Sequence, residues 1–186
     1  MRATEILMEE HRLILHLIAA LEAQAGKLQS GSPVRAGFFL DAVDFVRNFA
    51  DGCHHKKEEG ALFPAMLKAG LPKDGGPVAV MLAEHEQGRQ FNRGMERAAR
   101  AIETGDPGAR TDLAKNALGY VSLLRQHIQK EDEMLFPMAD RMIPAGVQSE
   151  LAGEFERIER EETGDGVHEK YHALAEAMVR EAGVRE

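Results

Sequence analysis

Apolar residues recur at helical spacing along most of the chain, and clusters of glycine, proline and other helix-breaking residues separate the segments. A repeat every seven residues is typical of the buried face of a helix, and two segments show it. The repeats are Leu7, Ile14, Leu21 and Leu28 in the first segment, and Met81, Gly88, Met95 and Ile102 in the third. Four helices of about 25–35 residues with short connections predict an all-α fold, an up-and-down antiparallel four-helix bundle.

The predicted bundle covers residues 1–142, and a C-terminal helical extension follows at residues 143–186. Apolar spacing within the extension predicts one or two further helices. A chain of 186 residues suffices for one domain with a substantial core and is short for two. Because no clean boundary sets the extension apart, we expect it to pack on the bundle.

Charge and cysteine content exclude several classes of protein. The chain carries 23 Lys and Arg residues against 31 Asp and Glu residues, a net charge of -8, whereas nucleic acids and anionic membranes attract basic proteins. The single cysteine, Cys53, excludes an internal disulfide framework and a cysteine-rich zinc site. No apolar run reaches the roughly 18 residues of a membrane span. We expect a cytoplasmic protein with neither a nucleic-acid nor a membrane partner.

Two segments of the chain are near copies of each other. HHKKEEGALFP at residues 54–64 and HIQKEDEMLFP at residues 127–137 align without gaps and share His, Lys, Glu, Leu, Phe and Pro. A Glu-His pair precedes each segment at nearly the same distance. The pairs are Glu10-His11, 43 residues before His54, and Glu84-His85, 42 residues before His127. The chain therefore contains two helical hairpins of one design, which we call the first repeat (10–64) and the second repeat (84–137).

Each repeat supplies the pattern His … His-x-x-x-Glu, in which the last two side chains lie on one helix face. A lone histidine on a helix is more often a core residue than a ligand, but duplicate order on four helices favours a metal site. Two unpaired carboxylates in an apolar core would be costly, and a pair of cations removes that cost. Nitrogen and oxygen donors suit iron, manganese or zinc. The predicted ligands are His11, His54, Glu58, His85, His127 and Glu131.

These motifs resemble those of the hemerythrin-like family of His-His-Glu cation-binding domains, over about residues 1–142. The resemblance implies a non-haem centre of two iron ions with a bridging oxo or hydroxo group, manganese and zinc being the less favoured metals. It further implies that Glu58 and Glu131 bridge the metals. On that pattern His11, His54 and Glu58 mainly serve one iron, and His85, His127 and Glu131 mainly serve the other.

The sequence departs from the oxygen-carrying hemerythrins, which have five histidine ligands, two of them four residues apart on the third helix. Here Arg89 stands four residues after His85, and an arginine is no ligand at neutral pH. The fifth nitrogen ligand is missing or comes from elsewhere. The extension offers His168, Tyr171 and His172 as less certain ligands, and a surface helix with two exposed histidines is the alternative.

Three further residues lie near the motifs. We expect His16 and His55 to be non-ligands, because His55 lies about 100° around the helix from His54. Tyr120 shares a helix face with His127, seven residues on. It either fills the core, which we favour, or hydrogen-bonds a species bound at the metals.

We expect a di-iron protein that binds or reacts with dioxygen, nitric oxide or a peroxide, in sensing, iron handling or detoxification. Turnover would draw electrons from an external donor, because the sequence shows no nicotinamide or flavin motif. A catalase-like di-iron enzyme is one alternative. A helical structural or regulatory module, in which the metal only stabilises the fold, is another.

Overall fold

The computed structural model describes residues 2–106, 108–164 and 166–184, apart from the side chains of Glu162 and Thr163. Residues 1, 107, 165, 185 and 186, which the predicted bundle and extension include, lie outside this description. The described residues form helices and connecting turns with no strand, so the all-α prediction is confirmed. No described helix is both long and apolar enough to cross a membrane. The up-and-down order of four helices stays a prediction.

Eight α-helices and four wider π-helical segments make up the described fold. The α-helices are α1 (Ala3–Gln29), α2 (Ala36–Phe45), α3 (Phe63–Lys68), α4 (Pro77–Glu103), α5 (Ala109–Lys130), α6 (Phe136–Met142), α7 (Ala145–Ile158) and α8 (Val167–Ala182). The π-helical segments are Val46–His55, Glu58–Leu62, Glu131–Leu135 and Glu159–Thr163. α5 packs against α1 and α4, α2 packs against α4, and α8 lies against α1 and α2.

The Phe-Pro pair of each repeat follows a π-helical turn that ends at the preceding leucine. A proline lacks the N–H that an α-helix needs and its ring crowds the preceding turn. In the first repeat the Phe63 N–H, just before Pro64, bonds to the Glu58 carbonyl, five residues back. In the second repeat the Phe136 N–H bonds to the Glu131 carbonyl in the same way. Both wide turns therefore begin at the glutamate that the sequence predicts as a ligand, and such turns are frequent at functional sites.

The candidate ligands lie between two apolar clusters of buried side chains. Along α1, Leu7 belongs to one cluster and Ile14 to the other, with His11 between them. Along α4, Met81 and Met95 belong to different clusters, with His85 between them. The site is therefore enclosed by apolar layers on both sides, which lowers the local dielectric and strengthens the electrostatic interactions inside it.

The C-terminal segment contributes to both clusters. Leu151, Phe155 and Ile158 are buried in the cluster that contains Leu7. Tyr171, Ala175 and Met178 of α8 are buried in the cluster that contains Ile14. Residues on both sides of position 142 thus share the same cores, although the division into a bundle and an extension stays a prediction.

Phe155→Ala should lower the free energy of unfolding by about 3–4 kcal/mol, because it removes a fully buried ring from a packed cluster. Denaturant unfolding followed by circular dichroism measures this change. Glu150→Ala, at an exposed position of the same helix, is the control and should change it by less than about 0.5 kcal/mol. Equal effects of the two substitutions would show that α7 does not share this core.

Candidate metal centre

The six predicted ligands come together in the interior, where each is at most 1 % exposed. Their ligand atoms form two adjoining groups, each within 4.8 Å, and Glu58 belongs to both. The first group is His11, His54, Glu58 and Glu131; the second is His55, Glu58, His85 and His127. The Nε2 atoms of His85 and His127 lie 3.1 Å apart, so the two imidazoles point at one spot.

The two glutamates each face one histidine from each repeat. Glu58 has Oε1 at 3.6 Å from His54 Nε2 and Oε2 at 3.4 Å from His85 Nε2. Glu131 Oε2 lies 3.2 Å from both His11 Nε2 and His127 Nε2. Each carboxylate therefore lies between a histidine of the first group and a histidine of the second, where it could bridge two metals.

The inward-facing atoms lack hydrogen-bond partners in the described part of the chain. They are His11 Nε2, His54 Nε2 and both carboxylate oxygens of Glu58 and Glu131. A buried carboxylate without a partner costs several kcal/mol, and real proteins pair such a group or bind a cation to it. Imidazole nitrogen and carboxylate oxygen are donors that iron, manganese and zinc accept. The residues present therefore fit a pair of metal ions.

The other ring nitrogen of each candidate histidine bonds to a carboxylate. In this arrangement Nδ1–H donates outward and leaves the Nε2 lone pair facing the centre. The pairs are His11 with Asp132 at 2.7 Å, His54 with Glu10 at 2.9 Å, His85 with Glu59 at 2.7 Å and His127 with Glu84 at 3.0 Å. Burial alone would lower the pKa of His11, but Asp132 and Glu131 raise it to about 10 in the absence of a metal, so a cation that binds Nε2 would displace a proton from it.

The four carboxylates that bond to Nδ1 of these histidines, which we call the outer carboxylates, follow the internal repeat. His54 and His127 bond to the acid that precedes the first histidine of their own repeat. His11 and His85 instead bond to the acid that follows the glutamate of the opposite repeat. Lys57 contacts Glu10, and its counterpart Lys130 contacts Glu84. The sequence contained these acids in duplicate, but their role as orienting partners required the fold.

His55 joins the second group of potential ligands, so the expectation that its 100° offset from His54 keeps it away from them is wrong. Its ring stacks on His85 with centroids 3.8 Å apart and planes 13° apart, and its Nδ1 lies 3.3 Å from Asp51 Oδ1. His54 and His55 end the π-helical segment Val46–His55. A π-helix holds more residues per turn, so neighbouring side chains are separated by less than 100° and both reach the interior.

The electrostatics of His55 suit a ligand. Burial, together with the nearby His85 and His54, lowers its pKa well below the usual range. A lowered pKa favours the neutral imidazole, which is the form that binds metals.

Arg89 supports the centre from outside. Its Nε donates to Asp51 Oδ1 at 2.8 Å and its Nη2 to Glu59 Oε1 at 2.7 Å. These two acids are the partners of His55 and His85. Arg89, at the position of the fifth histidine ligand in oxygen-carrying hemerythrins, thus fixes the carboxylates that bond to His55 and His85.

The three less certain candidates of the extension lie outside both groups. Tyr171 Oη donates to Asp44 Oδ2 at 3.0 Å. His172 is 64 % exposed and pairs with Glu176. His168 Nε2 lies 3.1 Å from Glu10 Oε1, so it contacts the centre only through the acid that orients His54.

His168 belongs to a third group of potential ligands, with Glu10, Cys53 and Glu159. The buried Lys57 ammonium contacts both carboxylates of this group. A lysine cation therefore already compensates their charge, and the group needs no metal.

The chain belongs to the family of hemerythrin HHE cation-binding domains, whose family model matches residues 2–139. The match includes all six predicted ligands and His55, and it confirms the resemblance drawn from the motifs. Uncharacterised proteins from Mycobacterium bovis and Mycobacterium tuberculosis are 26 % identical over 163 residues, 88 % of this chain. The chain spans 63 % of the length of these relatives. No solved structure matches the chain.

Glu58→Ala and Glu131→Ala should each lower the metal content below one ion per chain while the helical circular dichroism persists, because the flanking cores are apolar. Elemental analysis of the purified variants measures the content. Glu133→Ala, an exposed acid of the same segment, is the control and should keep the wild-type content. Wild-type metal content in either buried variant would contradict the ligand assignment.

His55→Ala should weaken metal binding by at least about tenfold. Removal of a residue that only orients a ligand already costs about 10–100-fold in affinity, and removal of a ligand should cost no less. Chelator competition measures the affinity. His16→Ala, at an exposed position of α1, should leave it unchanged. Equal affinities in both variants would remove His55 from the centre.

Proposed function

We propose that the chain is a non-haem di-iron protein that binds or reacts with a small oxidant. Two iron ions would be held by the six predicted ligands and His55, with Glu58 and Glu131 bridging. The observation that carries this proposal is the pair of buried carboxylates, each facing a histidine of both repeats with no hydrogen-bond partner in the described chain. Membership of the cation-binding family supports a metal, and the di-iron pattern that the motif resemblance implies favours iron over manganese or zinc.

When bound, an iron pair supplies redox chemistry for dioxygen, nitric oxide or peroxide at an open coordination position. The chain's own residues prepare the site for it. The outer carboxylates fix the direction of each imidazole and keep Nε2 free. The two apolar clusters flank the centre on both sides, which would limit side reactions of reactive species with water.

The biological role that we propose is sensing, iron handling or detoxification of the oxidant. Electrons for repeated turnover would come from an external donor. Residues 1–142 would form the metal-binding bundle, and residues 143–186 would support it from outside. His168 fits that role, because it contacts the acid that orients His54.

The test is iron loading under anaerobic conditions, followed by absorption spectra before and after exposure to air. We expect about two iron ions per chain and new charge-transfer bands on oxidation, and no such bands in Glu58→Ala. Peroxide that disappears faster than the bands bleach would identify a catalase-like enzyme. A redox-silent metal with an unchanged spectrum would contradict the proposal and leave a metal-stabilised structural module.

A further inference from the structure

The two halves of the candidate metal centre differ in their surroundings, although their ligands follow one repeat. In each repeat a glutamate bonds to the second histidine and a lysine contacts that glutamate. In the second repeat the Lys130 side chain is 38 % exposed. In the first repeat the Lys57 side chain is fully buried and the Glu10 side chain is only 3 % exposed. The outer layer of the first repeat is therefore covered, and that of the second is open to solvent.

The C-terminal segment provides the cover. The Glu159 carboxylate contacts the Lys57 ammonium, and the Phe155 ring centre lies 5.9 Å from the same ammonium. Among the described residues, no ion pair joins the C-terminal segment to Glu84 or Lys130, the counterparts in the second repeat. The segment therefore reinforces one half of the centre and leaves the other as the repeat alone builds it.

His168 extends this cover to the acid that orients His54. Its Nε2 lies 3.1 Å from Glu10 Oε1 and 3.3 Å from Glu159 Oε1, with Cys53 Sγ farther away at 3.7 Å. A nitrogen between two carboxylate oxygens carries the hydrogen, because an ionised carboxylate only accepts. His168 therefore donates an N–H to Glu10, which in turn accepts from His54 at 2.9 Å.

A groove of about 460 Å³ between α1 and α8 shows where solvent could reach this hydrogen bond. Glu10, Phe49 and His168 line the groove, and His54 does not. The Phe49 ring meets the His168 ring edge-on, with centroids 5.1 Å apart. The side-chain exposure falls from 39 % at His168 through 3 % at Glu10 to 1 % at His54. His168 thus covers the Glu10–His54 hydrogen bond from the solvent side.

The second group of candidate ligands has an opening of its own. A cavity of about 110 Å³ is lined by His55, His85 and His127, whereas the histidines of the first group do not line it. Arg93, with a side chain that is 53 % exposed, also lines it. The cavity has room for a few water molecules, each of about 30 Å³ in the liquid. Water, which replaces protein ligands when a metal leaves, therefore has access to the second group.

We propose that Glu159 and His168 are positioning residues that make the two metal positions unequal, so that the ion at His11 and His54 is retained while the ion of the second group exchanges readily. The inference rests on the two-metal site of the proposed function. The inequality is one of release rate, because the second group has the larger number of histidines. Both positioning residues lie beyond residues 2–139, which the family model matches.

The reason is mechanical. A metal leaves when its imidazole ligands turn away and water takes their place. The bond from Nδ1 to Glu10 opposes the rotation of His54, and the N–H of His168 opposes the rotation of Glu10. Glu159 fixes His168 and Lys57 together, so it acts on Glu10 through both.

Release of cobalt from the Co²⁺-loaded full chain to excess EDTA, followed by absorbance, tests the proposal. The wild-type chain should release its two ions in two phases. His168→Ala should accelerate the slow phase about tenfold, as expected for loss of an outer partner, and leave the fast phase unchanged. His168→Gln keeps an N–H donor and should restore most of the slow phase. Helical circular dichroism and the thermal midpoint are measured alongside.

A second variant and two matched controls isolate the contact. Glu159→Ala should accelerate the same slow phase. His172→Ala removes an exposed histidine of α8 that pairs with Glu176. Glu156→Ala removes an exposed acid of α7. Both controls should release cobalt at the wild-type rates.

Proton NMR of the cobalt-loaded protein gives a readout that a loss of stability alone would not produce. The paramagnetic ion shifts the Nδ1 proton of each histidine ligand, so the exchange of each proton with solvent can be followed separately. His168→Ala should speed the exchange of the His54 proton. The His127 proton, which bonds to Glu84, should exchange at the wild-type rate.

A single release phase in a wild-type chain that holds two cobalt ions would overturn the inequality. Wild-type rates in both His168→Ala and Glu159→Ala would overturn the role of the C-terminal segment and leave the two-metal site intact. Acceleration of both phases would indicate a general loss of stability and would likewise overturn that role. A wild-type chain that binds fewer than two cobalt ions would overturn the two-metal site as well.

Discussion

The structure depends on the burial of two carboxylates, Glu58 and Glu131, between apolar cores. Neither side chain is exposed, and their oxygens have no hydrogen-bond partner in the described chain. Burying such ions destabilises the folded protein unless opposite charge compensates them. The surrounding imidazoles lie 3.2–3.6 Å from these oxygens, and bound metal ions would supply the compensating charge. A π-helical turn begins at each glutamate, and this local backbone conformation helps to place the carboxylate in the interior.

Charge alternates in layers outward from this pair. Three of the four acids that bond to the candidate histidines are themselves held by a lysine or arginine: Glu10 by Lys57, Glu59 by Arg89 and Glu84 by Lys130. Lys57 is fully buried and its ammonium lies 5.9 Å from the centre of the Phe155 ring. The same lysine contacts Glu159 of the C-terminal segment. The extension thus connects to the centre by packing and by charge, and both connections converge on the acid that orients His54.

The sequence predicted the helical class and the six central residues because a repeat is visible without a structure. The two eleven-residue copies agree with each other in residue type, and the two Glu-His pairs precede them at nearly the same distance. His55 could not be predicted by α-helical geometry, since the segment that contains it is π-helical. The role of Arg89 also needed the fold, because its partners Asp51 and Glu59 lie 38 and 30 residues away in sequence. The candidates His168, Tyr171 and His172 rested on spacing within one helix, and no second copy supported them.

Diffraction from crystals of the iron-loaded protein, recorded on both sides of the iron absorption edge, would locate the metals between the two buried carboxylates. We expect two anomalous peaks about 3.5 Å apart, each between Glu58 and Glu131, with His11 and His54 at one and His55, His85 and His127 at the other. A single peak, or a peak at Glu10, Cys53 and His168 instead, would contradict it.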